Sequence, residues 1–197
     1  MRAGDTTGGT ASRRGFLRRS AIVGGMLLPA TIAGRSVLAA PAEARAAAVP
    51  LRFLSPDEAT DLERLGEVLV PGSAAAGLVH YVDCQLAAPA ADCMLMARYL
   101  GVVPPFGAFY RAAFAAVREA LASGTGDAMT RTHELGAALQ RAFTGAPLPA
   151  WSGPPAGLVY FVLRSDAIDA RYGTPEGFAR LGVPYMAHIA PPSRWGE

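Results

Sequence analysis

The sequence predicts an all-α domain: a single orthogonal bundle of five or six helices with an irregular apolar C-terminal tail. Three observations lead there. Apolar residues recur at three- and four-residue spacing in successive segments. Pro and Gly cut the chain between those segments. No period-two alternation lasts long enough for a strand.

The first predicted helix opens at Ser55-Pro56-Asp57-Glu58, where Ser55 caps, Pro56 suits the first helical position and Glu58 completes a capping box. Ala59, Leu62, Leu65 and Leu69 then follow on one face, and Pro71-Gly72 ends the run. A second helix is expected over 75–87, with Leu78, Val82 and Leu86 inward, and Pro89 breaks it. A third covers 92–100 before Pro104-Pro105. Residues 106–122 carry a broad stripe of Phe106, Phe109, Tyr110, Phe114, Val117 and Leu121. Asp127 caps a helix that runs to Phe143. After a Pro/Gly-rich loop at 145–155, a helix over 156–170 holds six consecutive apolar residues from Leu158 to Leu163, which reads as burial on most sides.

From Tyr172 onward the pattern changes. Tyr172-Gly173-Thr174-Pro175-Glu176-Gly177 reads as a turn, and the following stretch is too rich in Pro and Gly for a helix. Yet the tail 172–197 holds Phe178, Leu181, Val183, Tyr185, Met186, Ile189 and Trp195, a composition foreign to disordered tails. It is expected to pack, either on its own bundle or on a second protein. Tyr172, Phe178, Leu181, Tyr185, Met186 and Trp195 are the candidate partner contacts.

Residues 1–39 read as a twin-arginine export signal. Ser12 precedes Arg13-Arg14, and Phe16-Leu17 follow at the right offset with Arg18 behind them. The apolar run from Ala21 to Ala33 is short and contains Gly24, Gly25 and Pro29, whereas a membrane span needs about 20 apolar residues. The alternatives are a general secretory signal or an uncleaved anchor. Cleavage is expected within 39–46, and residues 40–53 are expected to be a flexible lead-in to a helical domain at 54–197. The implied location is the periplasm or another extracytoplasmic space, with membrane association only through partners.

All 18 basic residues of the chain are Arg, and six of them lie in the first 39 positions beside a single Asp. The formal charge of +2 therefore belongs largely to the signal. With no basic excess beyond it and no Arg cluster interleaved with aromatics, nucleic acid is not the expected partner.

Candidate chemistry is sparse. His80 and Cys84 are four apart with Asp83 beside them, and Cys93 is the one obvious third ligand, so a metal site is not expected. The chain has no CxxCH for haem attachment, no nucleotide-binding GxGxxG and no GxSxG or HExxH motif. It is expected to bind no cofactor itself and to supply no catalytic residue. In an oxidising compartment Cys84 and Cys93 read as a pair across the Pro89 turn, closing a loop for roughly 2–3 kcal/mol. Two buried thiols, or a bond to a partner chain, are the alternatives. Asp166 and Asp169, near Arg164 and Arg171, read as solvated helix-surface charges.

Three stretches carry a family resemblance. They are Leu69-Val70-Pro71-Gly72-Ser73 leading into Tyr81-Val82-Asp83-Cys84-Gln85-Leu86; Tyr160-Phe161-Val162-Leu163-Arg164-Ser165-Asp166; and Arg171-Tyr172-Gly173-Thr174-Pro175-Glu176-Gly177-Phe178 with Leu181-Gly182-Val183-Pro184-Tyr185. In this order, behind the export signal, the chain resembles the gluconate 2-dehydrogenase subunit 3 family. The resemblance implies a non-catalytic small subunit bound to a large FAD-dependent flavoprotein of the glucose-methanol-choline type. Such a flavoprotein oxidises a sugar, polyol or sugar acid, and a cytochrome c subunit carrying haem c often accepts the electrons. The small subunit presents the signal to the twin-arginine translocase and escorts the folded flavoprotein. A stand-alone periplasmic helical binding or structural protein is the alternative.

Overall fold

A computed structural model describes residues 27–183. It opens with a hairpin of β1 (Leu28–Ile32) and β2 (Arg35–Ala39), followed by α1 (Pro41–Ala46), α2 (Pro56–Leu69), α3 (Leu78–Ala87) and α4 (Met96–Tyr99). Then come α5 (Phe106–Ser123), α6 (Ala128–Phe143), α7 (Ala156–Tyr172) and α8 (Pro175–Arg180). The all-α bundle of five or six helices is therefore corrected: the described residues form eight helices and a two-stranded antiparallel sheet.

The hairpin falls on the expected export signal. Leu28 pairs with Ala39 and Ile32 with Arg35 across an Ala33-Gly34 turn, both of whose residues have positive φ (50° and 73°). That is the geometry a two-residue hairpin loop requires, and glycine meets it at least cost. Leu28, Ala30 and Ile32 are the less exposed residues of β1, and Pro29 and Thr31 the exposed ones. A five-residue alternation was thus present inside the apolar run, too short to announce itself. The hairpin packs on α1 and α3, with Leu28 and Ala39 buried.

Residues 40–53, expected as a flexible lead-in, are held down instead. Pro41–Ala46 is helical, and Glu43 accepts from the Ala40 N–H at 2.8 Å. Arg45 bonds Glu63 of α2, and His80 of α3 donates through Nε2 to the Val49 carbonyl at 3.0 Å. Gly77, just before α3, has φ +85°, and a Cβ there would stand 2.2 Å from the Pro41 carbonyl carbon. Only a glycine lets α1 lie this close.

The capping signals at Ser55 and Asp127 act as the sequence indicates. The Ser55 hydroxyl accepts from the Glu58 N–H, Glu58 accepts from the Ser55 N–H, and Asp127 accepts from the Met129 and Thr130 N–H groups. Several boundaries differ. The helix expected from residue 75 starts at Leu78, because Glu67 ties down the Gly72 and Ala74 N–H groups in a preceding turn. The helix expected over 92–100 shrinks to Met96–Tyr99. The turn expected at 172–177 runs instead into α8, where Thr174 accepts from the Gly177 N–H and Pro175 takes the first position.

Helix α7 is the spine. It packs on α2, α3, α4 and α6, while α5 closes over α2 and α6. The shared core includes Leu62, Leu65, Leu78, Tyr110, Phe114, Val117, Leu139, Val159 and Leu163. Burying one such side chain contributes about 1.5–3 kcal/mol.

Candidate functional site

The densest polar chemistry lies inside the core. Asp166 projects from the middle of α7 and is fully buried. The Tyr110 hydroxyl of α5 donates to Asp166 Oδ2 at 2.5 Å, and the Met96 N–H donates to Oδ1 at 3.0 Å. The short helix α4 thus takes its N-terminal cap from a residue 70 positions away. Burial pushes the Asp166 carboxyl up to about 7, opposed by those two donors. Tyr110 and Tyr81 are raised above the usual phenol range, first by burial and then by the Asp166 charge. Asp169, half-buried, is raised by burial as well.

The solvated reading of Asp166 and Asp169 is therefore corrected. Asp166 falls in helical register with Val159, Val162, Leu163 and Ala170, all buried, and that register was the signal for its inward position. The hydrogen bonds of Asp166 tie α4 and α5 to α7. Three surface cavities lie elsewhere, and none is lined by Tyr81, Cys93, Tyr110 or Asp166.

Asp83 is the second buried carboxylate. Its Oδ1 accepts from the Phe53 and Leu54 N–H groups at 2.8 and 2.9 Å, and Oδ2 from the Arg52 N–H at 2.9 Å. Those bonds fix the bent segment leading into α2. Of the His80–Asp83–Cys84 grouping, Asp83 and His80 are engaged by the chain's own backbone. Among the described residues no three His, Cys, Asp or Glu side chains gather as a metal site.

Cys84 and Cys93 are free thiols in the structure; Cys84 is half-buried and Cys93 buried, and burial raises both thiols. Of the expected partner contacts, Tyr172 packs against the core, Phe178 is half-buried and Leu181 is 55% exposed. Tyr185, Met186 and Trp195 lie outside the described residues, as do Arg13, Arg14, Phe16 and Leu17 of the export motif.

Among the described residues, the connection from α3 to α5 carries an apolar concentration that the periodicity did not indicate. Met94, Tyr99, Leu100 and Val103 are exposed within ten residues, Val103 at 81%. They sit on the connection from α3 to α5. Beside the ends of that connection a groove of about 330 Å³ is lined by Leu86, Ala88, Ala90, Pro105 and Phe106, with Arg111 stacked 4.5 Å over Phe53 at its edge. No described helix is long and apolar enough to cross a membrane.

Fold and surface together define a small, mostly helical domain with an N-terminal hairpin, a closed polar core and an exposed apolar strip. No protein-family model, curated protein or solved structure matches the chain.

Proposed function

We propose that this chain is the non-catalytic small subunit of a periplasmic FAD-dependent dehydrogenase complex, of the gluconate 2-dehydrogenase subunit 3 kind. In this reading it binds a large glucose-methanol-choline type flavoprotein and carries it through twin-arginine export. FAD belongs to that partner, and haem c to a cytochrome subunit where one is present. The order of the three sequence stretches behind Arg13-Arg14 supports the family.

The observation that carries the assembly role is the strip Met94, Tyr99, Leu100 and Val103. Four large apolar side chains turned to solvent within ten residues of one connection support an interaction surface there. Leu181 and Val183 add exposed apolar surface at the start of the tail. A stable interface buries more than about 1,000 Å² in total, so the strip serves as the centre of a larger contact.

The test is co-expression with a large FAD-dependent flavoprotein of the glucose-methanol-choline type as the candidate partner. Arg13→Lys with Arg14→Lys is expected to leave flavoprotein activity in the cytoplasm, while the two chains still co-purify. Normal export of the flavoprotein in that variant defeats the escort role, and a chain that elutes alone, free of flavoprotein, defeats the subunit reading.

A further inference from the structure

The cavity between α2, α5 and α6 shares no lining residue with the groove beside the apolar connection and has a different chemistry. It holds about 210 Å³ and is lined by Asp61, Arg64, Arg118, Leu121, Arg131 and Thr132 among others. A neighbouring cavity of about 300 Å³ shares Arg131 with it. Arg131 is therefore the wall between two openings.

We propose that the smaller cavity binds a phosphate group, held by Arg64, Arg118 and Arg131. Three features carry this. First, Arg131 has a buried Nε without a hydrogen-bond partner. The protein supplies no acceptor for this N–H, and an oxyanion in the cavity would meet the outer guanidinium N–H groups of Arg131, which lines it.

Second, the position of Arg131 is built. Its stem lies on the bare Cα of Gly124, where a Cβ would come within 3.0 Å of Cδ and 3.1 Å of Cγ. The glycine ending α5 makes room for this side chain.

Third, the charges add up to a dianion site. Arg118 spends Nε and one Nη2 proton on Asp61 Oδ2, at 3.2 and 3.0 Å, and keeps its remaining donors. No ion pair engages Arg64 or Arg131 among the described residues. Three guanidiniums against one carboxylate leave two positive charges, which suits a phosphate better than a monovalent carboxylate. Guanidinium forks also match phosphate geometry. Glu134 of α6 shares the neighbouring cavity with Arg131 and does not line this one; Asp127, the cap of α6, is turned to its own helix, accepting from Met129, Thr130 and the Thr130 hydroxyl.

The test is calorimetric titration of inorganic phosphate into the full chain at constant ionic strength, with chloride as the control. One saturable site is expected, with no heat from chloride. Arg131→Gln is expected to weaken phosphate binding by about tenfold or more, and Gly124→Ala by several-fold through displacement of Arg131. Arg64→Gln serves as a second variant should Arg131→Gln fail to fold. Vesicles of phosphatidic acid separate the two sources of such a group. Cosedimentation that free phosphate competes away places the site on a lipid headgroup, and phosphate binding without cosedimentation places it on a soluble phosphate. Equal responses to phosphate and chloride, or unchanged binding in folded Arg131→Gln and Arg64→Gln, overturn the proposal.

Discussion

The Tyr110 hydroxyl and the Asp166 carboxylate meet at 2.5 Å in the centre of the helical core, 56 residues apart in sequence. This contact joins α5 to α7, and through the second Asp166 oxygen it also caps α4. A buried carboxyl with two fixed donors is sensitive to the loss of either one.

Tyr110→Phe removes one donor while keeping the ring. It is expected to destabilise the domain by about 1–3 kcal/mol and to raise the Asp166 carboxyl further. Chemical denaturation at neutral pH checks the first effect, and titration of the Asp166 carboxyl followed by NMR checks the second.

The same carboxyl gives stability a definite pH dependence. Its folded value of about 7 lies above the ordinary 3.8, so the folded state holds a proton that the unfolded chain releases. Stability from this group is full below about pH 4 and declines as pH rises towards 7, then levels off. Asp169, raised in the same direction, adds to the decline. Asp166→Asn is expected to flatten it. Denaturation midpoints across pH 4–8 decide, and an equal slope in the variant refutes the assignment.

Asp83→Ala strips the acceptor from three backbone N–H groups at Arg52, Phe53 and Leu54. The expected cost is about 3 kcal/mol or more, since buried donors are left unpaired. Hydrogen exchange at those amides is expected to rise ahead of the core helices. Uniform exchange across the domain would show that Asp83 does not anchor this segment.

Gly77→Ala places a Cβ against the Pro41 carbonyl and forces a positive φ on alanine. The hairpin and α1 are expected to lift from α3, with the rest of the bundle intact. Limited proteolysis within residues 40–53 is the measurement; resistance equal to that of the unaltered chain counts against the close approach.

Val103→Asp, alone or with Leu100→Asp, changes side chains that are already exposed. The melting temperature is expected to stay within about 2 °C, while co-purification of the proposed flavoprotein partner falls by tenfold or more. Retained association moves the interface away from this strip.

Much of the helical order was legible because it depends on local chemistry. Ser55 and Asp127 bond N–H groups two or three residues ahead, so their helix starts can be read from neighbouring residues. The faces of α2, α5 and α6 were legible for the same reason, since helical spacing is a local property. Thr174-Pro175 carried an equally local start for α8, masked by the glycines around it.

What the sequence by itself determined is therefore the chain's helical character, its principal breaks and the composition of its core. The tertiary structure decided the rest. It placed Asp166 under Tyr110, gave α4 a cap from another helix, pinned residues 52–54 to Asp83 and seated the Leu28–Ala39 hairpin on α1 and α3. Each of these joins residues far apart in the chain, and their energies exist only once the segments have been brought together. A carboxylate on a helix reads as solvated until the packing of its neighbours removes the water, and a five-residue alternation inside an apolar run reads as a strand only once a second strand pairs with it.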